Sequence, residues 1–342
     1  MSALQIAQDG VNVMSKPILS VPVSFFSMAV GLLAFGNTWQ VAARLWHLPS
    51  QVGHALWSAG LAVWVTLLIM YIRKWILSRA DAVEELTHPL HGSLATLLPV
   101  ASMLAAVVLI PFSRTLALSI VAIALLGQLA LGLWLNGRLW MGARPPETIT
   151  TAIYLPSVAQ SFVAASAAAA FGWNQVGLLF FGVGLLAWLV LESLVMQRAA
   201  LGSALPPPMR PMLGIQLAPA VVGGGSYLSL TAGEPTILAW MLLGYGLYQA
   251  LLLVRLLPWI REQAFAASYW AFSFGVAALP ALAMRMVERG ATGYLLELAL
   301  VLFVAANGVF AILILKTLVL LASGDLTPGA RTPIKATANG IG

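Results

Sequence analysis

Residues 148–171 read TITTAIYLPSVAQSFVAASAAAAF. No charge interrupts the run, and its length suffices for an α-helix to cross the hydrocarbon core of a bilayer. Yet Pro156 stands inside it, and Ser157, Gln160 and Ser161 follow at i, i+3 and i+4 spacing on one helical face. Proline removes a backbone donor and collides with the carbonyl four residues back, so it bends a helix and frees that carbonyl. In lipid a freed carbonyl is costly unless protein or water satisfies it. This stretch therefore reads as a membrane helix that faces protein or a water-filled cavity rather than lipid.

The rest of the chain repeats the theme. It has 342 residues, 61% hydrophobic and 8% charged, with a mean hydropathy of +0.93. A soluble domain carries about 25% charged residues, so this is a polytopic membrane protein. Ten apolar runs lie near 19–45, 51–78, 92–111, 114–138, 148–171, 174–198, 211–231, 235–257, 264–286 and 292–321. Leaving aside Pro111, Pro211 and Pro235 at the very edges of runs, the odd-numbered runs hold Pro22, Pro99, Pro156, Pro219 and Pro280, one inside each, and the even-numbered runs hold none inside. Five hairpins result, each pairing a proline-bearing helix with a straight one. The expected fold is all-α, with odd helices forming an inner ring and even helices an outer one. Residues 19–322 form the membrane domain, with a cytoplasmic tail at 1–18 and a disordered one at 323–342.

Charge fixes the expected orientation. Of the 17 Lys and Arg residues, only Arg44, Arg114, Arg285 and Arg289 fall on the side opposite the termini. The positive-inside rule then places both termini in the cytoplasm. Residues before the first run show no basic, apolar and small-residue succession of a cleaved signal peptide. Most tryptophans, among them Trp39, Trp140 and Trp259, sit near the ends of runs, as an interfacial belt requires. The positive net charge of +6 thus belongs to membrane topology, not to nucleic-acid binding.

Chemistry inside the membrane looks sparse. Cysteine is absent, which excludes disulfides and thiolate catalysis. Small polar residues cluster on the odd runs: Ser157, Gln160 and Ser161, then Gln216, then Ser273. Together with the prolines they suggest a shared, uncharged lumen. Glu192 and Glu297 are expected near interfaces or paired locally, Glu192 with Arg198 one to two turns on. His88 and His91 lack a third ligand nearby, so no metal site or cofactor is expected. An uncharged lumen conducts more readily than it traps. The four outer arginines would draw anions into its mouth. A coupled exporter of tellurite, dicarboxylates, sulfite or toxic cations is the main alternative. An intramembrane enzyme lacks catalytic groups at depth, and a scaffold for a cytoplasmic partner could use 79–91 and 138–150.

Several motifs resemble one family. They include Tyr154-Leu155-Pro156-Ser157-Val158-Ala159, Gly214-Ile215-Gln216-Leu217-Ala218-Pro219-Ala220, Gly244-Tyr245-Gly246-Leu247, Leu253-Val254-Arg255-Leu256-Leu257-Pro258-Trp259, Trp270-Ala271-Phe272-Ser273-Phe274-Gly275 and His88-Pro89. Over about residues 20 to 322 the chain resembles the tellurite-resistance/dicarboxylate transporter family, whose members include bacterial TehA-type proteins and plant slow anion channels. The resemblance implies an inner-membrane homotrimer with a pore in each subunit, conducting small inorganic or organic anions. It implies that the odd helices line the pore, that their prolines hold it open, and that Phe274 plugs it as a rotating gate. One departure touches that gate. Where family members carry glycine and a second proline at the start of helix 1, this chain has Ser27 and Ala29, so a serine side chain is expected against the plug.

Overall fold

A computed structural model describes residues 21–142 and 144–326. The tail expectations for 1–18 and for the chain beyond 326 lie outside these residues. Among the described residues the structure is helical and contains no strand. Twelve α-helices are present: α1 (Phe26–Trp46), α2 (Ser50–Leu77), α3 (Arg79–Thr87), α4 (Pro89–Ala95), α5 (Leu97–Leu109), α6 (Arg114–Trp140), α7 (Gln160–Ala170), α8 (Asn174–Leu201), α9 (Ala218–Leu230), α10 (Ile237–Ile260), α11 (Ser273–Glu288) and α12 (Leu295–Ser323).

Nine helical stretches among the described residues are long and apolar enough to cross a membrane. The first run, α1, is not among them, because Asn37, Thr38, Gln40 and Arg44 dilute its C-terminal half. It is nevertheless 21 residues long and pairs along its length with α2. The stretches separate by burial. In the third, fifth, seventh and ninth, 56 to 83% of the apolar core residues are buried, against 17 to 33% in the even ones. The inner helices touch in closed order: α1 on α5, α5 on α7, α7 on α9, α9 on α11, and α11 back on α1. Each of α2, α6, α8, α10 and α12 packs on its hairpin partner.

Regularity follows the same division. The even helices run unbroken for 24 to 29 residues. Every odd one starts irregularly: a 3-10 turn at Val23–Phe25, the separate α4 before α5, a 3-10 turn and a π turn over Thr151–Tyr154 and Leu155–Ala159, a long 3-10 stretch at Pro207–Leu217, and another at Ala267–Phe272. Pro156 and Pro219 stand second in their segments, and Pro99 stands third in α5. A missing N–H costs nothing in a first turn, where the donor is unpaired anyway. These prolines therefore mark where irregular backbone gives way to regular helix, rather than kinking a helix interior. Pro22 precedes the first turn altogether. Pro280 alone of the five lies deep inside an α-helix. The even runs are also not wholly free of proline: α10 extends to Ile260 and takes Pro258 into its last turn.

Close approach of inner and outer layers relies on glycine. The ring of the fully buried Phe162 on α7 is wedged between α8 and α9. A Cβ at Gly184 or Gly223 would meet that ring at 2.9 or 3.0 Å. Polar ties join the irregular segments, as where Thr151 Oγ1 donates to Met212 O at 2.6 Å. The segment 79–91 is helical rather than a plain loop. Within it Glu85 accepts from Val23 N and from Lys74 Nζ, both at 2.9 Å, so a carboxylate pins the start of the first inner helix.

Candidate pathway and its divide

The ring encloses two large cavities. One lies at the N-terminal ends of the inner helices, has a volume of about 410 Å³, and is walled by Pro22, Ser27, Leu97, Tyr154, Ile215 and Trp270 among others. The other lies at their C-terminal ends, measures about 570 Å³, and is walled by residues including Asn37, Thr38, Ser166, Gly225 and Arg285. Phe274 lines both, the only described residue that does. It stands in the first turn of α11, directly after the 3-10 stretch Ala267–Phe272.

The backbone around Phe274 is held from α1. Ser273 Oγ donates to Trp270 O at 2.7 Å and lies 3.4 Å from Ser27 O. Gly31 faces Ser273 so closely that a Cβ would overlap it. One turn beyond Phe274, Thr38 Oγ1 donates to Ala277 O at 2.8 Å. Ser27 lines the N-side cavity together with Phe274 and Val30.

The cavities differ in chemistry. Arg44, Arg285 and Arg289 line the C-side cavity, and among the described residues no carboxylate does. Arg44 pairs with Glu288 at 3.0 Å, an exposed contact. Arg285 donates to Gly225 O and Ser229 Oγ, both at 3.0 Å, and Arg289 donates to Leu228 O and Thr231 O. Neither Arg285 nor Arg289 has a carboxylate within ion-pair distance among the described residues. Two guanidinium charges therefore face this cavity against neutral oxygen only. Arg114 lies outside it, exposed, with its guanidinium near Phe171 O. The N-side cavity is mostly apolar and carries Glu85 and His91 at its rim.

The remaining residues singled out from sequence fall as follows. Ser273 lines the N-side cavity, whereas Ser157, Gln160, Ser161 and Gln216 line neither. Gln160 Nε2 donates to Pro156 O, and its amide packs against Gly132 of α6. Gln216 turns outward onto Glu192. Helical spacing put these side chains on one face, but the π turn at Leu155–Ala159 changes the phase of that face. Pro22 and Pro219 line the N-side cavity, while Pro99, Pro156 and Pro280 stand behind the walls. Glu192 does not pair with Arg198, which donates to Ser203 O instead. His88 and His91 stack at 4.4 Å, and among the described residues no cluster suited to a metal occurs. Asn37 and Ser229 were not picked out from sequence. Their signal was Asn37-Thr38-Trp39-Gln40 within an apolar run, and a serine four residues after Gly225.

At the ends of the spans, Arg138 in the last turn of α6 donates to Thr87 O, and Arg144 beyond that helix donates to Pro89 O, both at 3.1 Å. Burial holds the Arg144 guanidinium below its usual pKa. The segments 79–91 and 138–150 are thus occupied with one another.

Comparison with known proteins agrees with this architecture. The chain is 33% identical over 324 residues to the tellurite resistance protein TehA homolog of Haemophilus influenzae, covering 94% of this chain and 97% of that one. It is 23% identical over 286 residues to the S-type anion channel SLAH2 of Arabidopsis thaliana, covering 80% of this chain and 54% of the plant protein. Residues 20–318 match the family described as voltage-dependent anion channel, SLAC1. That match spans nearly all of this multi-pass helical protein, and the chain belongs to the SLAC1 family of anion channels and transporters.

Proposed function

We propose that the protein is a passive channel or facilitator for small anions, with ten spans and one pathway through each subunit of a homotrimer in the bacterial inner membrane. The observation that carries this reading is the position of Phe274 between two cavities that share no other lining residue. An apolar ring across a narrow lumen blocks ions by dewetting, and a rotamer change opens it. The distribution of Lys and Arg supports a cytoplasmic N-side cavity. Arg285 and Arg289 then raise the anion concentration at the outer mouth. An inside-negative potential drives anions outward by about 2.3 kcal/mol per charge per 100 mV. The irregular starts of the third, fifth and seventh spans, next to Pro99, Pro156 and Pro219, shape the cytoplasmic cavity, Pro22 starts its wall, and Pro280 bends α11 beyond the gate. Ser27 shares the N-side cavity wall with the ring, where the family resemblance implies a glycine.

Planar-bilayer recording of wild type and Phe274→Ala tests the reading. Larger anion currents in the variant are expected, by about tenfold, the effect of removing about 1.4 kcal/mol of barrier. If the variant conducts no better than wild type, Phe274 is not the divide. Movement of anion against its gradient in proteoliposomes, driven by a pH difference, would replace the passive mechanism with a coupled one.

A further inference from the structure

Glu192 is a carboxylate in the apolar helix α8, about 13 Å from its C-terminal end at 1.5 Å per residue. It is partly buried and belongs to neither cavity. Among the described residues it has no basic partner. Four neutral donors converge on it instead. Oε1 accepts from Gln216 Nε2 at 2.7 Å and from Tyr245 Oη at 2.5 Å. Oε2 accepts from Tyr154 Oη at 2.8 Å and from Trp188 Nε1 at 2.9 Å. Behind Tyr245, Gln249 Nε2 donates to the same phenol at 2.8 Å. The donors come from four elements: the 3-10 turn Thr151–Tyr154, α8 itself, the 3-10 stretch Pro207–Leu217, and α10.

Two of these donors lead straight to the N-side cavity. Tyr154 is part of its wall. Gln216 lies between Ile215, which lines the cavity, and the segment containing Ala218 and Pro219, which also line it. Both sit in backbone that is not α-helical and so has fewer regular internal bonds to hold it. We propose that Glu192 is a positioning residue: it ties the irregular walls contributed by the fifth and seventh spans to the continuous outer helices α8 and α10, and so sets the width of the N-side cavity. A carboxylate suits this place because it offers acceptors on both oxygens, whereas a glutamine amide offers them on one and turns donors toward the other pair.

The chain contains no cysteine, so a single introduced thiol reports on one wall. Ile215→Cys reads the wall that Glu192 holds, and Ala271→Cys reads a lining position on the ninth span that it does not hold. In full-length protein in liposomes, Glu192→Gln should raise the rate of modification at position 215 by a polar methanethiosulfonate about fivefold, the effect of weakening charge-assisted hydrogen bonds. The rate at position 271 should stay within about twofold. Tyr154→Phe, which leaves the carboxylate in place, should move position 215 in the same direction by less. Glu192→Asp should fall between wild type and glutamine. Equal acceleration at both positions would make Glu192 general structural glue, and an unchanged rate at position 215 would remove it from the wall; either overturns the proposal. The inference draws its meaning from the pathway reading, but labelling needs no conduction. A channel that fails to conduct while position 215 responds would reject the pathway and keep the clamp.

Discussion

The two ends of the inner ring are built by different means. At the N-side, the interrupted starts of the five inner helices form the wall, and its polar groups are tied back by side chains: Glu85 to Val23, Thr151 to Met212, Tyr154 and Gln216 to Glu192. At the C-side, the wall is regular helix, and its charged residues are all cationic among neutral polar ones. One end has its shape held by hydrogen bonds that point away from the lumen. The other has charge that points into it. An ion moving between them meets a field on one side and a geometry on the other, with Phe274 at the junction.

The largest way to break this contrast is at the N-side. Lys74 and Glu85 form a buried pair, with side chains 7 and 11% exposed. Lys74→Met should leave the Glu85 carboxylate without its counter-charge and lower stability by about 3 kcal/mol, read as thermal unfolding in detergent. A loss below about 1 kcal/mol would mean that the carboxylate holds Val23 without needing the lysine. A current effect comes next. Arg285→Gln removes a charge that no carboxylate pairs with directly among the described residues, and anion current should fall about threefold at low ionic strength and less at high salt. Salt-independent loss would point to a packing role instead. Smaller still is Arg44→Met. Its pair with Glu288 is 60% exposed on the arginine side, so stability should change by less than about 1 kcal/mol. Arg114→Gln should leave current unchanged within error, because that guanidinium lies off the cavity wall. A fall matching that of Arg285→Gln would show that distant field, rather than lining charge, governs the outer mouth.

Much of the fold was legible because it depends on long-range composition. Charge-free runs, prolines in alternate ones and basic loops are properties of whole segments, and the inner and outer burial classes follow from them. The site was legible only where a motif carried it. Phe274 came from its resemblance, since one phenylalanine among 13 has no signature of its own. Gln160 was misread because a 3.6-residue period was carried across the π turn that precedes it, and Gln216 because a polar residue on an odd run was assigned to the lumen without any register, in a stretch that folds as a 3-10 helix. Glu192 was misread for another reason. Its nearest charge in sequence is Arg198, whereas three of its four partners stand 38, 24 and 53 residues away on other elements. Local spacing cannot report a cluster assembled by tertiary packing.

The order of the hairpins bears on how such a protein is made. The ring closes only when α11 docks on α1, a contact between residues 239 positions apart in the chain. Until that last inner helix arrives, the other four bound an open groove rather than a lumen. Phe274 rides on the closing helix itself, two residues from Phe272 and in its first turn. On the proposed reading, the lumen and the ring that divides it are therefore completed in the same assembly step, so a chain inserted hairpin by hairpin would never present the membrane with an undivided hole.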